Sequence, residues 1–333
     1  MLLERLAQYL KERAGDSSFH VVRQAGPAQE VTLQEAQPEL RSATVVEGEG
    51  MSVHPVGWAS ATRFTHFLDG IERTHVPYYH DMIPVLYAFT GAVVRKRGGD
   101  RRMSTDEALS AENLYFPFAY VEPSGLAGAG IPARNVVDED KGNSDPPDAH
   151  PVKLLELARR AVSNYRAELE RDLAERWTAR AGPEDWLLWD GSISGRVGTS
   201  THPRVIGVVK SHQTQYFSGE DQWKVLGLAP GERSSVFQPR VRDWTPVYSW
   251  YLRLHPNDGR DVYFGLVRVE AAASDETVAV AEEISRWLLG ERSPLSLPDG
   301  RWDRLIYPIR DCEQYLRSIA PSRVRIESAL AGV

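Results

Sequence analysis

Two apolar runs, FTHFLDGIER around Asp69 and DWLLWDGSISG around Asp190, each carry one carboxylate out of a hydrophobic stretch and meet a glycine directly afterwards. Short runs rich in Phe, Leu, Trp and Ile between turn-forming residues read as strands of a buried sheet. A chain built this way is expected to lead each strand out of the core at an acid and then turn at the glycine. Acids from two separate strands can then converge on one hard cation, which takes carboxylate oxygen as ligand.

The remaining segments supply the parts of an α/β fold. Residues 62–69 and 83–95 (IPVLYAFTGAVVR) are β-branched and aromatic, with Pro77 and Pro84 between them, and predict neighbouring strands. Over 152–180, Leu154, Leu155, Ala158, Val162, Tyr165, Leu169 and Leu173 recur at helical spacing, and Gly182-Pro183 ends the helix. WLLWDGSIS and RVIGVVKS, joined by a Gly-containing turn, are expected to form an antiparallel hairpin. VYSWYLRL and DVYFGLVRVE flank Pro256-Asn257-Asp258-Gly259 and predict a second hairpin. Ser274 is placed to cap a helix with acids in its first turn, and LIYPIRDCEQYLRSIAP closes the chain as a proline-marked segment.

Residues 1–50 read as an N-terminal helix and appendage, with Leu2, Leu3, Leu6, Tyr9 and Leu10 on one helical face. Residues 51–333 form the main domain, interrupted at about 98–150 by an insertion. There GGDRR, SGLAGAGIPA and DEDKGNSDPPD predict a surface loop ordered only in part.

Composition limits the function classes. With 333 residues, 42% hydrophobic and 26% charged, the chain can bury a sizeable core. No run approaches the roughly 18–20 apolar residues of a membrane span, and the charges within MLLERLAQYLKERAG exclude a signal peptide, so a soluble cytoplasmic protein is expected. The single Cys312 excludes an intrachain disulfide and a thiolate zinc cluster. A net charge of −7 argues against coating nucleic acid through bulk positive charge, so any such contact must be local. Arg95, Lys96 and Arg97, with Arg101 and Arg102 beyond them, are the candidate nucleic-acid-binding run. His75 and His80 are five residues apart, which suits neither a helix face nor a strand face for shared ligation.

Taken in order, Asp69-Gly70, Asp190-Gly191-Ser192, Gly207-Val208-Val209-Lys210-Ser211, Arg268-Val269-Glu270 and Tyr307-Pro308 resemble the NurA nucleases over roughly residues 60–320. That resemblance implies an RNase-H-like mixed sheet flanked by helices, and hydrolysis of DNA with Mn2+ or Mg2+. It also implies a homodimer and a HerA-type hexameric ATPase as partner. Asp69 and Asp190 match the family's metal ligands, and Lys210 and Tyr307 match groups near the metal. The family's glutamate lies on the helix before the second aspartate, where Glu168, Glu170 and Glu175 are available. Glu168 is expected to fill the role, because it borders the apolar face beside Tyr165 and Leu169. One departure stands out: the family's Ala-His after Tyr-Pro is Gln314-Tyr315 here, so a histidine is missing unless His212 replaces it in space. The loss keeps open a second reading, a NurA-like scaffold without catalysis that binds DNA or regulates an ATPase. Another RNase-H-like enzyme, related to Argonaute-type nucleases, is the further alternative.

Overall fold

The computed structural model describes residues 2–21, 39–57, 62–138, 146–194, 197–240, 245–292 and 305–330. Among them, helix α1 (Leu2–Lys11) is followed by three long strands, β1 (His66–His80), β2 (Ile83–Arg97) and β3 (Met103–Phe116). Helix α2 (Pro151–Thr178) leads into β4 (Leu187–Asp190) and β5 (Val205–Val209). Then come β6 (Val247–Arg253), β7 (Leu266–Ala272) and helices α3 (Asp275–Glu291), α4 (Tyr307–Ile319) and α5 (Arg323–Leu330).

All seven strands belong to one 13-stranded sheet, in the order β6-β7-β5-β4-β1-β2-β3, with short strands extending both edges. β1, β2 and β3 form an antiparallel meander, β4 runs parallel to β1, and β5 runs parallel to β4. This is a mixed α/β sheet flanked by helices, compatible with the RNase-H-like arrangement. The hairpin expected across Pro256–Gly259 is present as antiparallel β6 and β7. The hairpin expected of WLLWDGSIS and RVIGVVKS is not: β4 and β5 pair in parallel. Parallel pairing needs a crossover, and the 14 residues between these strands provide it with a short helix at Val197–Ser200.

Alternation along the strands decides which helix covers which face. Phe67, Val93, Leu188, Ile206 and Val208 point into a core closed by Ile284, Trp287 and Leu288 of α3 and by Ile309, Cys312 and Leu316 of α4. Leu68, Ala92, Val94, Leu187, Trp189 and Val205 point the other way, onto Leu169, Leu173 and Trp177 of α2. Each of these fully buried large side chains contributes about 1.5–3 kcal/mol relative to exposure. Ser274 caps α3 as expected, accepting from the backbone N–H of Thr277.

Two segments take places that their composition does not announce. Within the stretch read as an insertion, residues 103–116 pair with β2 along its length, while 139–145 lie outside the described residues. Burial along β3 concentrates in Asn113–Phe116 after a mostly polar first half, so its sequence lacks the apolar run that marks β2. Helix α1 buries Leu3, Leu6 and Leu10 against Tyr78, Val85, Leu114 and Phe116 of the meander. No described helix is long and apolar enough to cross a membrane.

Candidate metal centre

The acids sit where two strands run out of the core. Asp69 continues the Phe67 side of β1, and Asp190 continues the Leu188 side of β4, so both face α4. From above, α4 lowers Glu313, one residue past the buried Cys312 whose thiol meets the Phe67 carbonyl at 3.3 Å. One carboxylate oxygen from each of Asp69, Asp190 and Glu313 lies within 4.8 Å of the others. This all-oxygen set, with Asp69 buried and Asp190 and Glu313 half-buried, could bind a metal ion.

Asp69 is the innermost member, 5% exposed. Its Oδ1 accepts the Gly70 backbone N–H at 2.8 Å, whereas Oδ2 is buried with no hydrogen-bond partner among the described residues. Burial pushes the Asp69 carboxyl well above the usual carboxylate range, and neighbouring Asp190 raises it further. Lys210 opposes that rise, while Glu170 and Glu313 add to it. An orphaned, buried carboxylate oxygen among two other acids fits a hard cation, since the cation would satisfy it and relieve the repulsion.

The loop after Asp190 is set by contacts made elsewhere in the sheet. Gly191 adopts φ +147°, a conformation that favours glycine, and its N–H donates to the Val208 carbonyl at 3.0 Å. A Cβ on Gly207 would stand 2.7 Å from the Gly191 carbonyl oxygen, so glycine at 207 lets the loop lie on β5. Glu270 of β7 then holds the loop, accepting from the Ser192 hydroxyl at 2.7 Å and the Ile193 N–H at 3.0 Å. Arg268 pairs with Glu270, both buried. Lys210, on the same side as Val208, donates from Nζ to Asp190 Oδ2 at 2.7 Å.

Gly70 does not turn the chain, because β1 runs on to His80. Facing α2, it leaves room for Glu170, whose Oε1 would lie 2.3 Å from a Cβ at this position. Glu170 is buried, paired to Arg166 at 2.5 Å and within 3.4 Å of the Trp189 indole N–H. Burial raises its carboxyl above the ordinary value, against the pull of Arg166.

Asp69, Asp190 and Lys210 therefore come together as expected, and other expected residues do not. Glu168 faces away, lining a 290 Å³ cavity with Tyr115, Arg134 and Tyr165. The inward stripe of α2 is Val162, Leu169, Glu170, Leu173 and Trp177, whereas Tyr165, which suggested the other side, is only half-buried. Tyr307 opens α4 with its side chain 53% exposed, six residues and about 9 Å of helix rise before Glu313. His212 stacks on Tyr263 at 4.8 Å and hydrogen-bonds the Leu266 carbonyl at 3.0 Å, a packing role. Tyr315, where the resemblance implies a histidine, lies under the Arg95 guanidinium at 5.1 Å.

Two members of the basic run are likewise committed inside the fold. Arg95 pairs with Asp311 at 2.7 Å, and Arg97 pairs with Glu291 at 2.6 Å and 2.9 Å; Lys96 is exposed. Glu313, absent from the sequence expectations, had one signal available: with Asp311 it is one of two acids that flank the core-facing Cys312 of an amphipathic helix. No family model matches the chain, and no curated protein matches it.

Proposed function

We propose that the protein is a metal-dependent deoxyribonuclease that hydrolyses phosphodiester bonds of DNA with Mn2+ or Mg2+ held by Asp69, Asp190 and Glu313. The observation that carries this reading is the convergence of three carboxylates, one of which, Asp69, keeps a buried oxygen without a hydrogen-bond partner among the described residues. A divalent cation at such a site supplies Lewis-acid polarisation of a phosphoryl oxygen and acidifies water. The protein's own groups do the positioning. Gly70 N–H fixes one oxygen of Asp69 and leaves the other without a hydrogen-bond partner among the described residues. Lys210 neutralises Asp190 and offers a cation for charge that builds on a substrate phosphate. Glu170, across the sheet with Arg166, adds a second acidic pole close to Asp69.

By the family resemblance the enzyme works as a homodimer beside a HerA-type hexameric ATPase, in DNA end processing or defence. Co-sedimentation with such a motor tests that partnership. The catalytic claim is tested by manganese-dependent degradation of single- and double-stranded DNA. Asp69→Asn and Asp190→Asn should lose activity by more than about 100-fold, beyond the 10- to 100-fold typical of groups outside the ligand set. Equal activity in all three proteins would remove both residues from the chemistry.

One observation favours the second reading, a NurA-like DNA-binding or ATPase-regulating subunit without catalysis. Lys210 Nζ already stands 2.7 Å from a would-be ligand oxygen of Asp190, a protein cation where a metal is expected. In that case all three proteins bind DNA alike and none cleaves it.

A further inference from the structure

β4 is short, and among the described residues its end leaves an edge of β1 without a strand partner. Their pairing stops at Leu68, and this edge of β1 meets another strand at Tyr78, where Phe19–Val21 joins. A groove of about 500 Å³ lies along the gap, lined by Gly70, Ile71, Glu72, Arg73, Arg166, Glu313 and Arg317. Glu313 belongs both to this groove and to the acid cluster, so the two are continuous.

The groove carries three guanidinium groups from three different elements. Arg73 extends from β1 and donates to the carbonyls of Pro321 at 3.0 Å and Arg317 at 3.5 Å. Arg166 comes from α2, with Nε 3.3 Å from Glu72 and Nη1 2.5 Å from Glu170. Arg317 comes from α4, touches Glu313 through Nη2 at 3.2 Å, and its side chain is 58% exposed. A guanidinium has five N–H donors, so each of the three keeps donors uncommitted among the described residues. Acids pair with two of these cations, yet their remaining donors give a chain of net charge −7 a local set of N–H forks for phosphate oxygens.

We propose that Arg73, Arg166 and Arg317 form the path along which the phosphates of a nucleic-acid strand run from the acid cluster down the open edge of β1. Planar forks suit phosphate oxygens, and anchoring from β1, α2 and α4 gives the path a fixed geometry. The task of nucleic-acid contact thus falls to these arginines, not to Arg95 and Arg97. The proposal deepens the nuclease reading and takes from it the identity of the centre at which the strand arrives.

The test is equilibrium binding of a fluorescein-labelled oligothymidylate in EDTA, followed by anisotropy over a range of salt concentrations. Arg317→Ala and Arg73→Ala should each bind roughly 5-fold more weakly. Each should also flatten the plot of log affinity against log salt by about 0.7. Arg317→Lys should restore the slope, since it keeps the charge. Lys224→Ala, which removes a half-buried cation paired with Glu220 and Asp221 on the helix Gly219–Leu226, should leave the slope unchanged. Because Arg317 is exposed, its variants should melt with the wild type, which separates lost contact from lost fold. Wild-type slope and affinity in both alanine variants, or no binding by the wild type, would overturn the path. EDTA keeps the two readings apart. Arginine-dependent binding without manganese-dependent cleavage sinks the nuclease reading alone. Cleavage with arginine-independent binding sinks the path alone.

Discussion

Asp69 carries a carboxylate where burial and Asp190 both oppose its charge. In the unfolded chain it titrates near the ordinary 3.8, and in the fold its proton leaves only at higher pH. Between those two points the native state holds the extra proton, so this group's contribution to stability falls as pH rises. Asp69→Asn removes the liability. We predict that the metal-free variant melts higher than wild type at neutral pH, by on the order of 1–3 kcal/mol in stability, with a gap that closes toward pH 4. Parallel melting curves across that range would contradict the assignment. Asp69, Asp190 and Lys210 were legible because each extends the alternation of an apolar strand toward one face. Glu313 was not, because a helix brings it there from more than a hundred residues away. Choosing between Glu168 and Glu170 needed the true centre of the α2 stripe, and Tyr165 pulled the sequence-based choice to the wrong side.

At the scale of elements, glycines and one buried ion pair hold the strand ends in place. Gly207→Ala would drive a Cβ into the Gly191 carbonyl at 2.7 Å and Ile193 at 2.9 Å, displacing the loop that follows Asp190. We predict a loss of about 1–3 kcal/mol, read by urea denaturation, with DNA cleavage impaired in protein that still folds. Glu270→Ala should cost more, about 3–5 kcal/mol, because it leaves Arg268 buried without its partner and frees Ser192 and Ile193. Removing an exposed pair such as Arg323 with Glu327 should cost under about 1 kcal/mol. Element types were largely legible from periodicity, including α2, α3 and the β6–β7 hairpin. The parallel pairing of β4 and β5 was not, since strand direction depends on a crossover whose sequence resembles a turn. β3 was missed for a related reason: its first half is polar and its partner, not its own composition, makes it a strand.

On the scale of the whole molecule, the sheet order brings β1 and β4 side by side in parallel, places their acids under α4, and opens the arginine-lined groove next to them. On the proposed path, the guanidinium donors of Arg73, Arg166 and Arg317 are what would let a chain of net charge −7 meet a polyanion locally. Cation binding at these acids is decisive. Anomalous diffraction from a crystal soaked in manganese measures it most directly. We predict a peak about 2.0–2.6 Å from oxygens of Asp69, Asp190 and Glu313, with the same peak absent in Asp69→Asn. A soaked crystal with no peak at these carboxylates, and Lys210 still paired to Asp190, would contradict the account.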